Sequence, residues 1–172
     1  LKKAAVITTG SEVYKGRIKD TFTPVIIDKL KEYNVEVVFH KLCLDDPHMV
    51  TDAINEALNE HVDMVICTGG MSVDPDDRTP LAIKNTGANI ISYGSPVLPG
   101  AMFLLAYKGD IPIMGLPGCV MYSKRTVFDL VLPRIIAKDP INADELARLG
   151  EGGLCLNCPV CTFPNCGFGK GW

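Results

Sequence analysis

Apolar and polar positions follow two different periods along the chain, and these periods predict an ordered series of strands and helices. Short apolar runs that are rich in β-branched residues predict strands at 4–9, 35–42, 62–68 and 88–94. Apolar residues at helical spacing predict helices at 21–34, 47–60, 79–86 and 121–132, with Pro133 ending or kinking the last one. Residues 102–115 form two apolar runs about a Lys-Gly-Asp turn and predict a hairpin.

Strands that alternate with helices of this length favour parallel pairing, so the expected fold class is α/β. We expect a three-layer α/β/α architecture with a mostly parallel mixed sheet, to which the hairpin adds antiparallel edge strands. The α/β domain is predicted to span 1–143, and 144–172 to form a short Cys-rich tail without an apolar period. Strand-like sequence begins almost at once after Leu1, so we expect that an upstream domain of a longer protein is missing.

Composition narrows the class of ligand. The chain has 172 residues, of which 47% are hydrophobic, enough for one well-buried core. It contains 17 Lys and Arg residues and 20 Asp and Glu residues, which gives a net charge of −3, and the basic residues form no stripe. This balance argues against nucleic acid or a membrane surface as partner and favours a small ligand. No signal peptide or apolar run of about 18 residues is present, so we expect a cytoplasmic protein.

Three glycine loops stand where strands are predicted to give way to helices. They read "TTGSEVYKG" at 8–16, "CTGGMSVDPDDRTP" at 67–80 and "GLPGCVMYS" at 115–123, the last containing Pro117 and Gly118. In an open α/β sheet such loops meet at the carboxyl ends of the strands, where free amides and a helix N-terminus attract an anion. A phosphate group is the expected ligand, although ordinary turn chemistry explains any one loop taken singly.

The combination of motifs is more specific than any single loop. In order and spacing, "TGSEVYKGRIKDT", "LDDP", "TGGMSVDPDDRTP" and "GLPG" resemble the molybdopterin-binding domain family over residues 4–137. That family includes molybdopterin adenylyltransferase, the binding domain of molybdopterin molybdotransferase and the amino-terminal domain of competence-damage-inducible proteins. The resemblance implies that the loops hold molybdopterin or its adenylylated form. The residues it implies in phosphate and pterin binding are Gly10, Ser11, Glu12, Thr68, Gly69, Gly70 and Ser72.

Two aspartates match acidic positions of the family. The resemblance implies that Asp77, in "DDRTP", and Asp45, in "LDDP", serve a Mg²⁺-dependent step, for which carboxylates are suitable ligands or bases. The alternative is that Asp45 and Asp46 cap the helix that begins near Pro47, and that Asp77 and its acidic neighbours cap the next helix.

The resemblance implies a role in molybdenum cofactor biosynthesis, as a transferase in metal insertion or nucleotide transfer. A non-catalytic module that delivers or senses the pterin remains an alternative, because "VLPGAM" at 97–102 lacks the basic residues common in molybdotransferases and Cys119 and Val120 replace the usual "NP". Lys15, Arg17, Lys19, Arg78 and Lys124 are candidate substitutes for the missing charge. A pyrophosphatase of nucleotide-diphosphate sugars is a weaker alternative. A homodimer or homotrimer is expected by resemblance, and a molybdoenzyme is a possible partner.

The tail carries cysteines in a pattern typical of metal sites. The spacing C-x2-C-x2-C-x4-C joins Cys155, Cys158, Cys161 and Cys166. Four thiolates at this spacing suit a tetrahedral Zn²⁺ or an iron–sulfur cluster, whereas a reactive or disulfide-forming tail is the alternative. The metal site would serve as a redox element, a docking element or a structural clasp. Aromatic residues at 163, 168 and 172 are expected to pack the tail on the domain.

Overall fold

Six strands form one mixed sheet at the centre of the molecule. The computed structural model describes residues 2–72 and 74–170. The strands are Lys2–Thr9 (β1), Val35–Cys43 (β2), Met64–Thr68 (β3), Asn89–Tyr93 (β4), Leu104–Lys108 (β5) and Ile111–Leu116 (β6). Their order across the sheet is β2-β1-β3-β6-β5-β4. The first four of these are joined by parallel pairing, and β5 runs antiparallel to both β6 and β4. The predicted class and the mostly parallel sheet are confirmed.

Helices cover both faces of the sheet, as the prediction of three layers requires. They are Ser11–Tyr14 (α1), Phe22–Lys31 (α2), Pro47–Asn59 (α3), Thr79–Asn85 (α4), Val127–Ile136 (α5) and Ala143–Arg148 (α6), with 3₁₀ turns at Gly118–Met121 and Leu149–Gly152. The buried faces of α2, α5 and α6 share one apolar cluster, and those of α3 and α4 share another on the opposite face. Within the described residues, no helix has the length and apolar character that crossing a membrane requires.

The central strands are apolar on both faces because each face packs against helices. In β1, Ala4 and Val6 belong to one cluster while Ala5 and Ile7 belong to the other, and all four are fully buried. This is the alternation that a strand imposes on successive side chains. Each central strand of a parallel sheet that is covered on both sides therefore needs a continuous run of apolar residues. Such a run in the sequence predicted β1.

The hairpin forms as predicted, but its position in the sheet does not match the expectation of edge strands. The strand β6 lies at the centre, between β3 and β5, and β4 forms the edge. Ile113, Met114 and Leu116 are fully buried, and successive residues of β6 contribute to opposite clusters. Burial on both faces places this strand in the middle, because only there do helices cover both sides.

The helix predicted at 121–132 begins later and passes through Pro133. Thr126 is its N-cap, and its hydroxyl accepts a hydrogen bond from the Phe128 amide at 3.2 Å. The Asp129 carboxylate in turn accepts from the Thr126 amide at 2.8 Å, which completes a capping box. The helix continues to Ile136 because its apolar face stays buried through Ile135, and this burial offsets the amide that Pro133 lacks.

The tail packs against the domain along the α5 face of the sheet. Phe168 is buried in that apolar cluster, and Phe163 is partly buried against it, in keeping with the expected packing role. Trp172, for which the same role was expected, lies outside the described residues. The expected boundary at 143/144 falls at the start of α6, whose Leu146 side chain also belongs to the cluster.

A buried ion pair joins α2 to α5. The Lys29 ammonium donates to both carboxylate oxygens of Asp129 at 2.7 Å and to the Lys124 carbonyl at 3.1 Å. Arg125 donates to the same carboxylate at 3.0 Å. Because the Asp129 side chain is only 4% exposed, these donors, and not water, stabilise its negative charge.

We expect Asp129→Ala to lower the free energy of unfolding by about 3–5 kcal/mol, because it leaves the buried Lys29 charge without its carboxylate partner and removes the capping box. Urea unfolding followed by circular dichroism measures this loss. The matched control is Asp139→Ala, which breaks an exposed ion pair with Arg134 and should have a much smaller effect, because water screens that pair. Equal losses in the two variants would contradict this account of the buried pair.

Candidate functional site

The loops that carry the predicted site residues meet at one edge of the sheet. Strands β1, β3 and β6 are parallel and end at Thr9, Thr68 and Leu116, so the three glycine loops leave the sheet on the same side. The loop between β4 and β5 also lies on this side, since β5 runs in the opposite direction to β4. The arrangement fits the rule that ligands of open α/β sheets bind at the carboxyl ends of the strands.

A cleft of about 410 Å³ lies at this edge. It brings together the first glycine loop, the second glycine loop and both predicted aspartates; its lining is Thr9, Gly10, Ser11, Glu12, Val13, Ile18, Asp45, Gly70 and Asp77. A second cleft of about 440 Å³ lies at the opposite edge, where the strands begin, and holds none of the predicted site residues. The cleft at the carboxyl edge is therefore the candidate site.

Five of the predicted site residues do not line the cleft. Thr68 and Gly69 lie at the end of β3, and Ser72 closes the loop that follows. The third loop is separate: Pro117 precedes a 3₁₀ turn that begins at Gly118, and neither residue lines the cleft. A Cβ on Gly118 would have no heavy atom within 4 Å among the described residues, so no close contact requires glycine there.

The second glycine loop depends on glycine for two close approaches. Gly69 has a φ of +82°, and a Cβ there would lie 2.1 Å from the Thr9 carbonyl oxygen at the end of β1. Gly70 has a φ of +58°, and a Cβ there would lie 2.8 Å from the Thr79 hydroxyl and 3.5 Å from an Asp45 carboxylate oxygen. Thr79 also donates to the Gly69 carbonyl at 2.8 Å. Because Gly69 and Gly70 have no side chain, the loop can lie against β1 and beside Asp45.

Asp77 holds the second loop closed. Its carboxylate accepts hydrogen bonds from the Ser72 amide and, at 2.7 Å, from the Ser72 hydroxyl. The carbonyl of Ser72 accepts from the Tyr93 hydroxyl at 3.0 Å, which ties the loop to β4. The helix that follows has Arg78 at its N-cap position and no side-chain cap, so Asp77 does not serve as the cap considered above.

The capping role near Pro47 belongs to Asp46 and not to Asp45. The Asp46 carboxylate accepts from the His48 amide at 3.0 Å and begins α3. Among the described residues, none donates a hydrogen bond to the Asp45 carboxylate, which lines the cleft instead. Partial burial raises the pKa of Asp45, and the carboxylates of Asp77 and Asp74 raise it further, against the opposing effect of Arg78.

Two buried hydroxyls at the ends of β1 and β3 have no hydrogen-bond partner among the described residues. The Oγ1 atoms of Thr9 and Thr68 make no hydrogen bond within the described part of the chain, although Thr9 is 7% exposed and Thr68 is fully buried. Buried hydroxyls of this kind are costly unless they are paired. Thr9 also lines the cleft, and the sequence reasoning missed it. The available signal was a threonine that ends an apolar strand directly before a glycine.

Comparison with known proteins places the chain in a described family. Residues 5–137 match the family described as "Probable molybdopterin binding domain". A CinA-like protein of Mycobacterium avium is 34% identical over 77 residues, which are 45% of this chain and 18% of that protein. A molybdopterin molybdenumtransferase of Staphylococcus epidermidis is 31% identical over 121 residues, 66% of this chain and 29% of that protein. The chain thus spans less than a third of the length of these curated relatives.

Solved structures share the fold. The molybdopterin biosynthesis enzyme MoaB of Thermus thermophilus superposes with a TM-score of 0.65 at 20% identity, covering 83% of this chain and 99% of that one. The CinA protein of Thermoplasma acidophilum gives a TM-score of 0.66 at 22% identity, covering 78% and 98%. A molybdopterin biosynthesis MoeA protein from Pyrococcus horikoshii gives 0.62 at 26% identity, covering 80% of this chain and 35% of that one.

We expect Gly69→Ala to lower the free energy of unfolding by roughly 3 kcal/mol or more, because strain from a positive φ adds to a collision with the Thr9 carbonyl. Thermal and urea unfolding measure the change. Gly16→Ala is the control, since Gly16 has a φ of +69° and open space around its Cβ position, and it should cost only about 1 kcal/mol. A loss no larger than the control's would show that the close approach is not needed.

Asp45→Asn should stabilise the protein at neutral pH. Because the pKa of Asp45 is raised in the folded state, its contribution to stability is present at low pH and is lost as pH rises through the folded value. Removing the charge should raise Tm slightly at pH 7 and have little effect below pH 3.8, the ordinary value for this group. The control is Asp46→Asn, which lies outside the cleft and can still cap α3. A change in Tm for Asp45→Asn that is the same at every pH would contradict the electrostatic cause.

Proposed function

Because the chain belongs to the probable molybdopterin binding domain family, we propose that its cleft binds the phosphate-bearing end of molybdopterin or of its adenylylated form. The observation that carries this proposal is that Asp45 and Asp77 line one cleft with Gly10, Ser11 and Gly70. A site that serves a phosphate through a divalent cation needs both kinds of group, carboxylates for the cation and small polar residues for the anion. The chain spans only part of its relatives, so the proposal concerns this domain.

The anion would lie against the floor of the cleft. Thr9 offers a buried hydroxyl that no other described residue pairs with, and a phosphate oxygen accepts a hydrogen bond from such a donor. Ser11 adds a second, exposed hydroxyl at the mouth of the cleft. Gly70 lets the ligand approach the backbone, because a side chain there would collide with Thr79. These donors bind and orient one phosphate without any basic residue in the lining of the cleft.

A Mg²⁺ ion fits the two carboxylates. Asp45 has no hydrogen-bond donor among the described residues, and its pKa is raised chiefly by burial and further by repulsion from Asp77 and Asp74. A divalent cation relieves that repulsion. Among the described residues no group of three or more His, Cys, Asp or Glu side chains is arranged to hold a metal ion. Two carboxylates suffice for Mg²⁺, which commonly takes one or two protein ligands and completes its shell with water and substrate phosphates.

The chain's own residues would divide the work of a transfer reaction. Asp77 keeps the second loop closed through Ser72, which fixes the position of Gly70 beside Asp45. Mg²⁺, when bound, supplies charge neutralisation for the phosphate oxygens. Arg78 lies close enough to Asp45 to lower its pKa, so it is the cation best placed to accompany an anionic ligand. The activity we propose is metal insertion or nucleotide transfer in molybdenum cofactor biosynthesis, in the cytoplasm and in a homo-oligomer.

We expect molybdopterin and its adenylylated form to bind with a Mg²⁺ dependence that Asp77→Asn weakens at least tenfold. The asparagine oxygen still accepts from Ser72, so the loop stays closed while the charge is lost. Titration calorimetry with and without Mg²⁺ measures binding, and product analysis with molybdate detects turnover. The matched control is Asp76→Asn, an exposed neighbour that does not line the cleft.

The outcomes separate the candidate activities. Mg²⁺-dependent binding with turnover supports the transferase, and binding without turnover selects a delivery or sensing module. Hydrolysis of ADP-ribose without pterin binding would overturn the proposal in favour of a pyrophosphatase, an activity hinted at by the opening motif "TGSEVYKGRIKDT". Binding that is identical in Asp77→Asn and Asp76→Asn would remove Asp77 from the site.

A further inference from the structure

The four cysteines of the tail surround a single cavity. Cys155, Cys158, Cys161 and Cys166 all line a cavity of about 110 Å³, together with residues of the loop before α5. The Cys158 and Cys161 side chains are exposed, and those of Cys155 and Cys166 are half-buried against the apolar cluster. All four are free thiols. The spacing in the sequence therefore corresponds to one shared space in the fold.

The backbone holds the tail in a defined position on the domain. The Leu98 amide donates to the Gly153 carbonyl at 2.6 Å, and the Cys155 amide donates to the Leu98 carbonyl at 2.8 Å. Gly169 donates to the Gly152 carbonyl at 2.6 Å, and a Cβ on Gly169 would lie 2.5 Å from the Leu130 side chain of α5. The tail thus turns back on itself and fits closely against α5. A segment fixed in this way can present its thiols in a constant geometry.

The spacing of the thiols and the cavity that they share favour a cluster over a single ion. A single tetrahedral Zn²⁺ has four sulfurs about 2.3 Å from one centre, which leaves no space between them. Here the four thiols share the wall of one cavity of about 110 Å³, and three of them follow the C-x2-C-x2-C spacing of ferredoxin-type clusters. In a cluster with four irons each thiolate binds a different iron, so the sulfurs stand farther apart around a core with volume of its own.

The charge around the cavity complements a negatively charged cluster. Lys124 and Arg125 both line it. The Arg125 guanidinium interacts with Cys161 and stacks 4.8 Å from the centroid of the Phe163 ring. A [4Fe–4S]²⁺ core with four thiolates carries a net charge of −2, and nearby cations and donors to sulfur stabilise it. Phe163 and Phe168 form the apolar part of the wall.

We propose that Cys155, Cys158, Cys161 and Cys166 bind a [4Fe–4S] cluster in this cavity, one thiolate to each iron. Each thiol loses its proton as its sulfur–iron bond forms, and no electron moves in that step. The [4Fe–4S]²⁺ core contains equal numbers of ferric and ferrous irons, so both ions together with sulfide build it without an added oxidant. The proposal is independent of the pterin site, because the cavity and the cleft share no residue.

The test is anaerobic reconstitution of the full chain with equal amounts of ferric and ferrous iron and with sulfide. We expect about four iron and about four sulfide per chain, a broad visible absorption from sulfur-to-iron charge transfer, and an electron paramagnetic resonance signal after reduction. Cys158→Ser and Cys161→Ser should each reduce the iron content at least fourfold, since each removes an exposed ligand with little packing. Cys119→Ser should keep it, because Cys119 lies outside the cavity.

A parallel incubation with Zn²⁺ measures zinc binding by the native chain and by each variant. Thermal melting checks that each variant is folded. One tightly bound zinc per chain, lost in Cys158→Ser, together with no sulfide-dependent iron binding, would overturn the cluster. Iron content that is unchanged in both Cys158→Ser and Cys161→Ser, or equally reduced in Cys119→Ser, would also overturn it. Loss confined to the tail variants, with melting curves like that of the native chain, supports it.

Discussion

The parallel pairing of β1 with β3, in register from Ala4 opposite Met64 to Thr8 opposite Thr68, is the constraint on which the site depends. It brings the ends of β1 and β3 side by side, so the two glycine loops that follow these strands lie in contact. Gly69 then lies directly on the Thr9 carbonyl, a contact that only glycine permits. Apolar burial on both faces fixes this pairing, because a slip by one residue would exchange the side chains between the two cores.

Electrostatics gives the edge of the sheet its chemical character. The cleft gathers Asp45 and Asp77 in a partly buried space, where the Asp45 carboxylate has no donor among the described residues and its pKa is raised. The hydroxyls of Thr9 and Thr68 likewise have no partner in the part of the chain that the structure describes. Groups left unsatisfied in this way are costly to a fold and are common where a ligand completes them. The same cleft therefore has acceptors suited to a cation and donors suited to an anion.

The Cys-rich tail is joined by main-chain hydrogen bonds to the same edge of the sheet. Its main chain bridges to Leu98 in the loop between β4 and β5, and Pro99 of that loop accepts a hydrogen bond from Val127 at the start of α5. Arg125, which lines the cysteine cavity, also bonds to Asp129 of the buried ion pair. The tail therefore contacts α5 and one loop of the carboxyl edge directly.

The sequence by itself determined most of the elements and the family. Periodicity and turn residues are local, so they were sufficient for β1, for α3, for the hairpin and for the acidic glycine loop that ends in Asp77. Matching motifs also indicated the family, which the comparison over residues 5–137 confirms. The roles assigned to Asp45 and Asp77 stay predictions, although the fold brings both residues to one cleft.

Only the tertiary structure decided which distant residues share a space. It placed β6 at the centre of the sheet, started α5 at Val127, and left the loop of Pro117 and Gly118 outside the cleft. It also gave the capping role to Asp46, so that its neighbour Asp45 faces the cleft. These outcomes depend on strand partners, burial and charges that come from residues far apart in the chain. Local pattern carries no information about such partners, because they are chosen when the layers pack.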